Sequence, residues 1–267
     1  MNTSNHLLRR LTAALLAAVL ALSIALPVFA SDDGDTIYIN SVSDLLSLAR
    51  NCAYDQWSVG KTVILQKDLS LEGMLWEPIP SFSGQFKGNG HTISDLTITG
   101  QYSPAGLFGI VEEQGSIESL SVRGIVSVSD SADTTTGGIA GINHGTLISC
   151  QFTGVVTGDS EVGGIVGRNE SEGTIDHSTA RAIVTGKSST GGIAGYNLGA
   201  ITGCTNVGSI NTEYPEASLD TDGFTAKMVD YINNKMAAAN DDATNSVTNV
   251  ATDTGGIAGR SSGMILT

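Results

Sequence analysis

The chain has 267 residues, of which 27 are acidic and 13 basic, giving a formal net charge of −14 at pH 7. This balance argues against binding to nucleic acid or to an anionic membrane surface, because both need clustered lysine and arginine. The chain also holds 33 glycines, while aromatic residues make up 5% of it. A composition poor in large core side chains predicts many short strands joined by tight turns rather than a compact globular enzyme.

Residues 1–30 have the pattern of a secretory signal peptide. Arg9 and Arg10 precede an apolar run over residues 11–26, and a small residue, Ala30, ends the segment. The run is shorter than the roughly 20 residues that a membrane span needs, and Ser31-Asp32-Asp33 follows it without a basic stop. We therefore expect an exported protein, extracellular or on the cell surface, with no membrane span once the signal is removed.

Residues 31–60 are predicted to form an N-terminal cap. The segment from Thr36 to Ile39 alternates like a strand. Ser41 and Asp44 then have the spacing of a helix cap, and apolar residues follow at near-helical spacing as far as Asn51. This pattern predicts a short amphipathic helix that covers the open end of the array that follows, since terminal units of repeat arrays must hide their apolar end.

The segment 61–211 contains an internal repeat, which resumes at 253–267. Its five-residue motif occurs at Gly137–Gly141, Gly163–Gly167, Gly191–Gly195 and Gly255–Gly259, with a divergent copy at Gly106–Gly109. A glycine with an aliphatic residue two places later follows each copy, at Gly115, Gly145, Gly173, Gly199 and Gly263. Three short apolar segments thus fall in each period, with too few residues between them for helices. The chain must then coil so that each segment pairs with its equivalent one turn away, as in a right-handed parallel β-helix.

The shared register makes two local predictions. The motif isoleucines Ile139, Ile165, Ile193 and Ile257 should stack in one buried ladder. Cys150 and Cys204 should occupy one position two coils apart with Ser178 between them, which separates their Cα atoms by about 10 Å, beyond the roughly 7 Å limit for a disulfide. We expect both to stay reduced, as well as Cys52 in the cap.

The repeat resembles the GLUG motif of bacterial secreted and cell-surface proteins. The resemblance rests on Gly106-Leu107-Phe108-Gly109, on the Gly-Gly-Ile-Ala-Gly copies and on the preceding segment from Phe82 to Ile93. It covers roughly residues 36–211 and resumes at 253, although Lys87 stands where the family usually has an acidic residue. The resemblance implies a surface-attached right-handed β-helix that is often one module of a larger protein, and it implies no particular reaction.

Residues 212–252 interrupt the repeat, and residues 253–267 resume it. Within the insertion, Phe224, Met228, Tyr231, Ile232 and Met236 lie on one face of a helix predicted from Gly223 to Ala239. This helix either packs against the solenoid wall or binds a partner. The last coil stops four residues after Gly263, which predicts an incomplete, uncapped coil that could associate edge to edge with another chain. A truncated gene product or an incomplete reading frame would explain it equally.

No residue pattern predicts a catalytic, cofactor or metal site. Zinc spacing is absent, and His91, His144 and His177 do not share a register position. Glu118 and Asp176 share one but lie two coils apart. Asp159 and Glu161, with Lys187 and Ser189 in the next coil, offer at most a loose Ca²⁺ site.

The sequence therefore favours a non-catalytic secreted or cell-surface module that acts as an adhesion or binding scaffold, or as a stalk, with a surface glycan or protein as its partner. Two alternatives remain open. One is a carbohydrate-active β-helix enzyme of the polysaccharide lyase or glycosidase type, which an acidic cluster along one groove would favour. The other is an accessory domain of a larger exported peptidase.

Overall fold

The structure, a computed structural model, describes residues 35–54, 56–128, 134–211 and 252–266. These residues form a β-solenoid of about six stacked turns in which every paired strand is parallel to its neighbour. The predicted all-β solenoid is confirmed, while its right hand stays a prediction. The predicted signal peptide at 1–30 and the predicted insertion helix at 223–239 lie outside the described residues.

Four parallel sheets form the walls of the solenoid. Sheet A has eight strands in the order β1 (Thr36–Ile39), β2 (Thr62–Leu65), β5 (Gln85–Lys87), β8 (Ser116–Glu118), β12 (Thr146–Ile148), β16 (Thr174–Asp176), β20 (Ala200–Thr202) and β25 (Met264–Leu266). Sheet B contains β3 (Leu69–Ser70), β6 (Thr92–Gly100), β9 (Ser121–Val128), β13 (Gln151–Thr157), β17 (Thr179–Thr185), β21 (Thr205–Asn206) and β22 (Ser209–Ile210). Sheet C contains β4 (Ile79–Phe82), β7 (Phe108–Val111), β11 (Ala140–Asn143), β15 (Val166–Asn169), β19 (Ala194–Asn197) and β24 (Ala258–Ser261). Sheet D contains β10 (Thr135–Gly137), β14 (Glu161–Gly163), β18 (Ser188–Gly191) and β23 (Thr252–Gly255).

A typical coil visits the sheets in the order D, C, A, B. The strands pair in the register that the repeat predicts: Leu147 lies opposite Ile175 in sheet A. In sheet B, β13 pairs with β17 over seven consecutive residues. One sheet B position requires glycine, because a Cβ atom on Gly154 would lie 1.8 Å from the carbonyl oxygen of Gly124 in the preceding coil. The close approach of neighbouring coils thus explains why the sheet B partners of Gly154 in the adjacent coils, Gly124 and Ala182, are also the smallest residues.

The motif isoleucines form the predicted ladder. The backbone N–H of Ile139 donates to the carbonyl of Ile165 at 2.9 Å, that of Ile165 to Ile193 at 3.0 Å, and that of Ile193 to Ile257 at 2.8 Å. The first three side chains are completely buried, and Ile257 is partly buried against the same core. Full burial of such a side chain stabilises the fold by about 1.5–3 kcal/mol, so each of these coils gains a similar stabilisation from its isoleucine.

The predicted cap helix is present as α1 (Val42–Asn51), the one helix among the described residues. Ser41 is its N-cap, and the Ser41 hydroxyl accepts a hydrogen bond from the Asp44 backbone N–H at 3.2 Å. The Asp44 carboxylate accepts in turn from the N–H of Asn40 at 3.0 Å, and this bond lowers the pKa of Asp44. Leu45 and Leu48 are buried, so one face of the helix joins the core of the first coils, where it contacts β1 and β4.

Large aromatic side chains fill the first coils. The ring centroids of Phe82, Phe86 and Phe108 lie 5.3–6.3 Å apart, in tilted and edge-to-face arrangements. Trp76 is 1% exposed, and its Nε1–H donates to the carbonyl of Leu107 at 3.2 Å. Sheet C equivalents of Phe108 in the following coils are the smaller Ala140 and Val166.

Candidate functional site

A row of buried asparagines runs through the solenoid at the last position of the sheet C strands. Asn143, Asn169 and Asn197 are completely buried. The Nδ2 of Asn143 donates to Oδ1 of Asn169 at 2.7 Å, and the Nδ2 of Asn169 donates to Oδ1 of Asn197 at 2.8 Å. Each Nδ2 also donates to a glycine carbonyl two to four residues later in the chain. The row is interior and therefore structural, since no ligand reaches a completely buried amide.

A second row lies on the outer surface of sheet C. Tyr196 stands between two guanidinium groups, with the ring centroid 5.2 Å from Arg168 and 5.4 Å from Arg260. Arg168 also forms ion pairs with Glu161 at 3.2 Å and with Glu170 at 2.8 Å. Both faces of the tyrosine ring are thus occupied by protein groups, and the charge of Arg168 is matched by carboxylates. This row stabilises the stacking of coils and is a poor candidate for a binding site.

The best candidate site is an open groove next to the N-terminal cap, which we name the cap groove. Its volume is about 300 Å³, and its lining consists of Gln56, Val59, Ser81, Ser83, Glu112, Glu113 and Gln114. The loop after α1 supplies one side, β4 and the residue after it supply the floor, and the turn after β7 supplies the other side. The volume falls at the lower end of the about 300–1,000 Å³ typical of small-molecule sites.

The turn that borders the cap groove is held firmly. The N–H of Gly115 donates to the carbonyl of Glu112 at 2.8 Å, which closes a four-residue turn with Glu113 and Gln114 exposed at its tip. The N–H of Glu112 donates to the carbonyl of Phe82 in the preceding coil at 2.9 Å. The Ser81 hydroxyl donates to Oε1 of Glu112 at 2.7 Å. Glu112 is therefore fixed against the floor of the groove, while Glu113 and Gln114 are exposed at its edge.

Sequence reasoning missed the cap groove because its lining comes from three separate segments. The turn itself is visible in the sequence, because the spacing from the second motif glycine to the landmark glycine is nine residues from Gly106 and Gly164 and seven in the other coils. The same four-residue turn recurs at Glu170 to Gly173, where the N–H of Gly173 donates to the carbonyl of Glu170 at 2.9 Å. The groove, however, depends on the loop after α1, which has no counterpart in the repeat.

The carboxylates considered from the sequence do not meet. Glu118 and Asp176 occupy one outward position in sheet A with Ile148 between them. Asp159 pairs with Lys187 at 2.5 Å, and Glu161 pairs with Arg168. Across the residues described, no group of three or more His, Cys, Asp or Glu side chains is arranged to hold a metal ion.

The three histidines among the described residues lie apart. The Nδ1 of His91 is 3.1 Å from Oδ1 of Asp68, and the Nδ1 of His177 is 2.8 Å from Oδ1 of Asp176. His144 lies near the turn of the next coil, where the Ser171 hydroxyl and, more weakly, His144 lower the pKa of Glu172. Each histidine therefore has its own local carboxylate, and the three share no site.

The register of the cysteines is as predicted. The backbone N–H of Cys150 donates to the Ser178 hydroxyl at 3.1 Å, and the N–H of Ser178 donates to Sγ of Cys204 at 3.4 Å. Burial raises the pKa of the Cys150 thiol to about 12 and that of Cys52 to about 11, and it also raises the pKa of Cys204. The absence of a Cys150–Cys204 disulfide in solution stays a prediction.

Comparison with known proteins agrees with the repeat. The family model described as the GLUG motif matches residues 158–185, which contain one motif copy and its flanking strands. Residues 158–185 of this chain thus match a GLUG motif. The matched segment begins in the turn before β14 and ends with β17, so it spans one full coil of the solenoid.

Two curated relatives share part of the repeat. Halomucin of Haloquadratum walsbyi is 31% identical over 155 residues, which cover 53% of this chain and 2% of halomucin. A protein of Evansella cellulosilytica, provisionally named a Gly-rich membrane protein, is 29% identical over 137 residues, which cover 37% of this chain and 16% of that protein. The chain therefore spans only a small part of the length of these relatives. No helix among the described residues is long and apolar enough to cross a membrane.

A solved structure shows a partial likeness. It is a crystal structure from Bacteroides ovatus, provisionally described as an immunoglobulin A1 protease, with 16% sequence identity and a TM-score of 0.45. The match covers 66% of each chain.

Proposed function

We propose that this chain is a non-catalytic module of an exported, surface-associated protein and that it binds an extracellular glycan or protein through the cap groove. The observation that carries the proposal is a β-solenoid with a GLUG motif in one coil and a polar groove next to its N-terminal cap. A repeat array of this kind holds such a groove away from the surface to which it is attached, because each coil packs firmly on its neighbour. The signal pattern at residues 1–30 supports export.

The cap groove contains two carboxylates, which is the feature that would favour a glycosidase. Catalytic carboxyl groups flank the scissile bond from opposite sides, about 5–5.5 Å apart in retaining enzymes and about 6.5–9.5 Å in inverting enzymes. Glu112 and Glu113 are instead consecutive residues of one turn, and Glu112 accepts a hydrogen bond from Ser81. This arrangement supports binding rather than bond cleavage.

Surface placement can be tested on intact cells. Antibodies raised against the purified chain should label intact cells of the organism that produces it, and protease added outside should remove the label. A cytosolic protein of the same cells serves as the control and should be labelled only after permeabilisation. Labelling of this chain that also requires permeabilisation would contradict export.

The absence of catalysis needs a separate experiment. Incubation of the purified chain with a panel of plant, fungal and bacterial polysaccharides should release no new reducing ends and no unsaturated products. Release that is abolished in Glu112→Gln or Glu113→Gln would show that the carbohydrate-active alternative is correct.

A further inference from the structure

We infer that the cap groove binds a neutral, hydroxyl-rich glycan and discriminates against acidic glycans. This inference rests on the proposed binding function and adds the class of ligand. It starts from the seven lining residues, of which four are neutral and polar, two are glutamates and one is apolar. None of the seven is basic.

The hydrogen-bonding inventory of the groove defines the partner. The carboxylates of Glu112 and Glu113 offer acceptors, and one oxygen of Glu112 already accepts from Ser81. The amides of Gln56 and Gln114 can both donate and accept. A ligand that satisfies this lining must bring many donors together with acceptors. Sugar hydroxyl groups do both, so a neutral saccharide can donate to the glutamates and can pair with the amides of Gln56 and Gln114 in either direction.

The negative charge of the two glutamates disfavours binding of acidic glycans in the groove. A uronate or sialate carboxylate in the groove would face Glu112 and Glu113 without a cation in the lining to balance it. Lys61, which follows the loop after α1, is not part of the lining and has its ammonium group 5.4 Å from the centroid of the Trp57 ring. The net charge of −14 adds a long-range repulsion.

The remaining ligand classes fit less well. A cationic group would pair with the two glutamates but leave the four neutral polar side chains and Val59 without a role. Protein segments bind by adding a strand to a sheet edge or by placing apolar side chains in pockets, and the groove offers one apolar residue, Val59, which is 42% exposed. In a saccharide complex, Val59 would cover the apolar C–H face of a sugar ring.

Binding can be measured by NMR titration of the purified chain with four probes of matched length: cellotetraose, the tetramer of glucosamine, tetragalacturonate and tetralysine. Cellotetraose should shift the side-chain amide signals of Gln56 and Gln114 in a saturable manner, and tetragalacturonate should not. The double variant Glu113→Ala with Gln114→Ala should weaken cellotetraose binding at least about tenfold, because it removes the polar groups at the tip of the turn.

The chain offers a matched control in the equivalent turn two coils further on. The double variant Ser171→Ala with Glu172→Ala changes the same two turn positions outside the groove and should leave the affinity within about twofold of the unmodified chain. The inference is overturned if cellotetraose does not bind, if tetragalacturonate, tetralysine or the glucosamine tetramer binds more tightly, or if both double variants lose affinity equally. Surface labelling of intact cells does not depend on any of these results, so failure of the ligand class and failure of surface placement are separable.

Discussion

At the scale of single residues, Cys150 shows how the solenoid keeps a polar atom inside its core. Its Sγ is 3.4 Å from the carbonyl oxygens of Ile117 and Ile148, and the single thiol proton can be donated to either of them. Ser178 occupies the equivalent position one coil later, and its hydroxyl donates to the carbonyl of Asp176 at 3.1 Å. In these coils the position holds small side chains that can donate a hydrogen bond to a backbone carbonyl, whereas Leu120 occupies it in the coil before Cys150.

The raised pKa of Cys150 makes stability depend on alkaline pH. The folded state holds the thiol neutral, with a pKa of about 12 against an ordinary value of 9.0, so the unfolded state loses its proton first as the pH rises. The stabilisation is fully present below pH 9 and is lost between pH 9 and about 12, at about 1.4 kcal/mol per pH unit. Between pH 8 and 10.5, urea unfolding should therefore show a loss of about 2 kcal/mol that is missing in Cys150→Ser.

The test compares, within each protein, the free energy of unfolding at the two pH values. The free-energy cost of the substitution itself therefore cancels. Cys52 and Cys204 contribute the same alkaline loss to both proteins, so the difference between the two pH slopes belongs to Cys150. Equal slopes in the original chain and in Cys150→Ser would contradict the burial of this thiol.

At the scale of elements, the asparagine row joins neighbouring sheet C strands through side chains as well as through backbone bonds. Its middle member, Asn169, both accepts from Asn143 and donates to Asn197. Toward the N-terminal coils the row ends, because the sheet C partner of Asn143 in the preceding coil is Val111. The Oδ1 atom of Asn143 is accordingly a buried oxygen without a hydrogen-bond partner among the described residues. The row thus marks the coil at which the regular repeat begins.

Asn169→Ala should be strongly destabilising, because it leaves the buried amide groups of Asn143 and Asn197 each without one partner. A buried polar group that loses its partner costs about 1–3 kcal/mol, so we expect a loss of about 3 kcal/mol in urea unfolding. Thr174→Ala, in the same coil but on the outer face of sheet A, should cost less than about 0.5 kcal/mol. Equal effects of the two substitutions would show that the asparagine row adds no stability.

At the scale of the whole molecule, the coils and their register could be predicted because stacked repeats place like residues on like. The isoleucine ladder, the shared position of Cys150 and Cys204, and the cap of α1 all follow from local spacing. The asparagine row was also present in the sequence, as a Gly-x-Asn that ends three motif copies, but spacing alone does not tell a buried amide from a turn residue. The cap groove could not be predicted, since it joins Ser81 and Glu113 of two coils to Gln56, which lies in the loop after α1 and has no counterpart in the repeat.

The stacked architecture also determines how damage spreads. Each sheet C strand pairs only with the strands of the coils before and after it, so β15 is joined to β11 and β19. Stability in such an array is a sum of coil and interface terms, and a local defect should weaken neighbouring coils more than distant ones. The completely buried Ile165 lies in the turn before β15 and is the natural place to introduce that defect.

Ile165→Asp should unfold the coils around β15, because burying an unpaired carboxylate costs at least several kcal/mol. Hydrogen exchange should then show the greatest loss of protection in β11, β15 and β19, and the least in α1, β1 and β2, which pack around the first coils. The control Ile142→Asp places the same charge on the outer face of sheet C, where it should leave the protection of the core strands nearly unchanged. Uniform loss of protection from β1 to β20 in Ile165→Asp would show that the described solenoid unfolds as one cooperative unit rather than coil by coil.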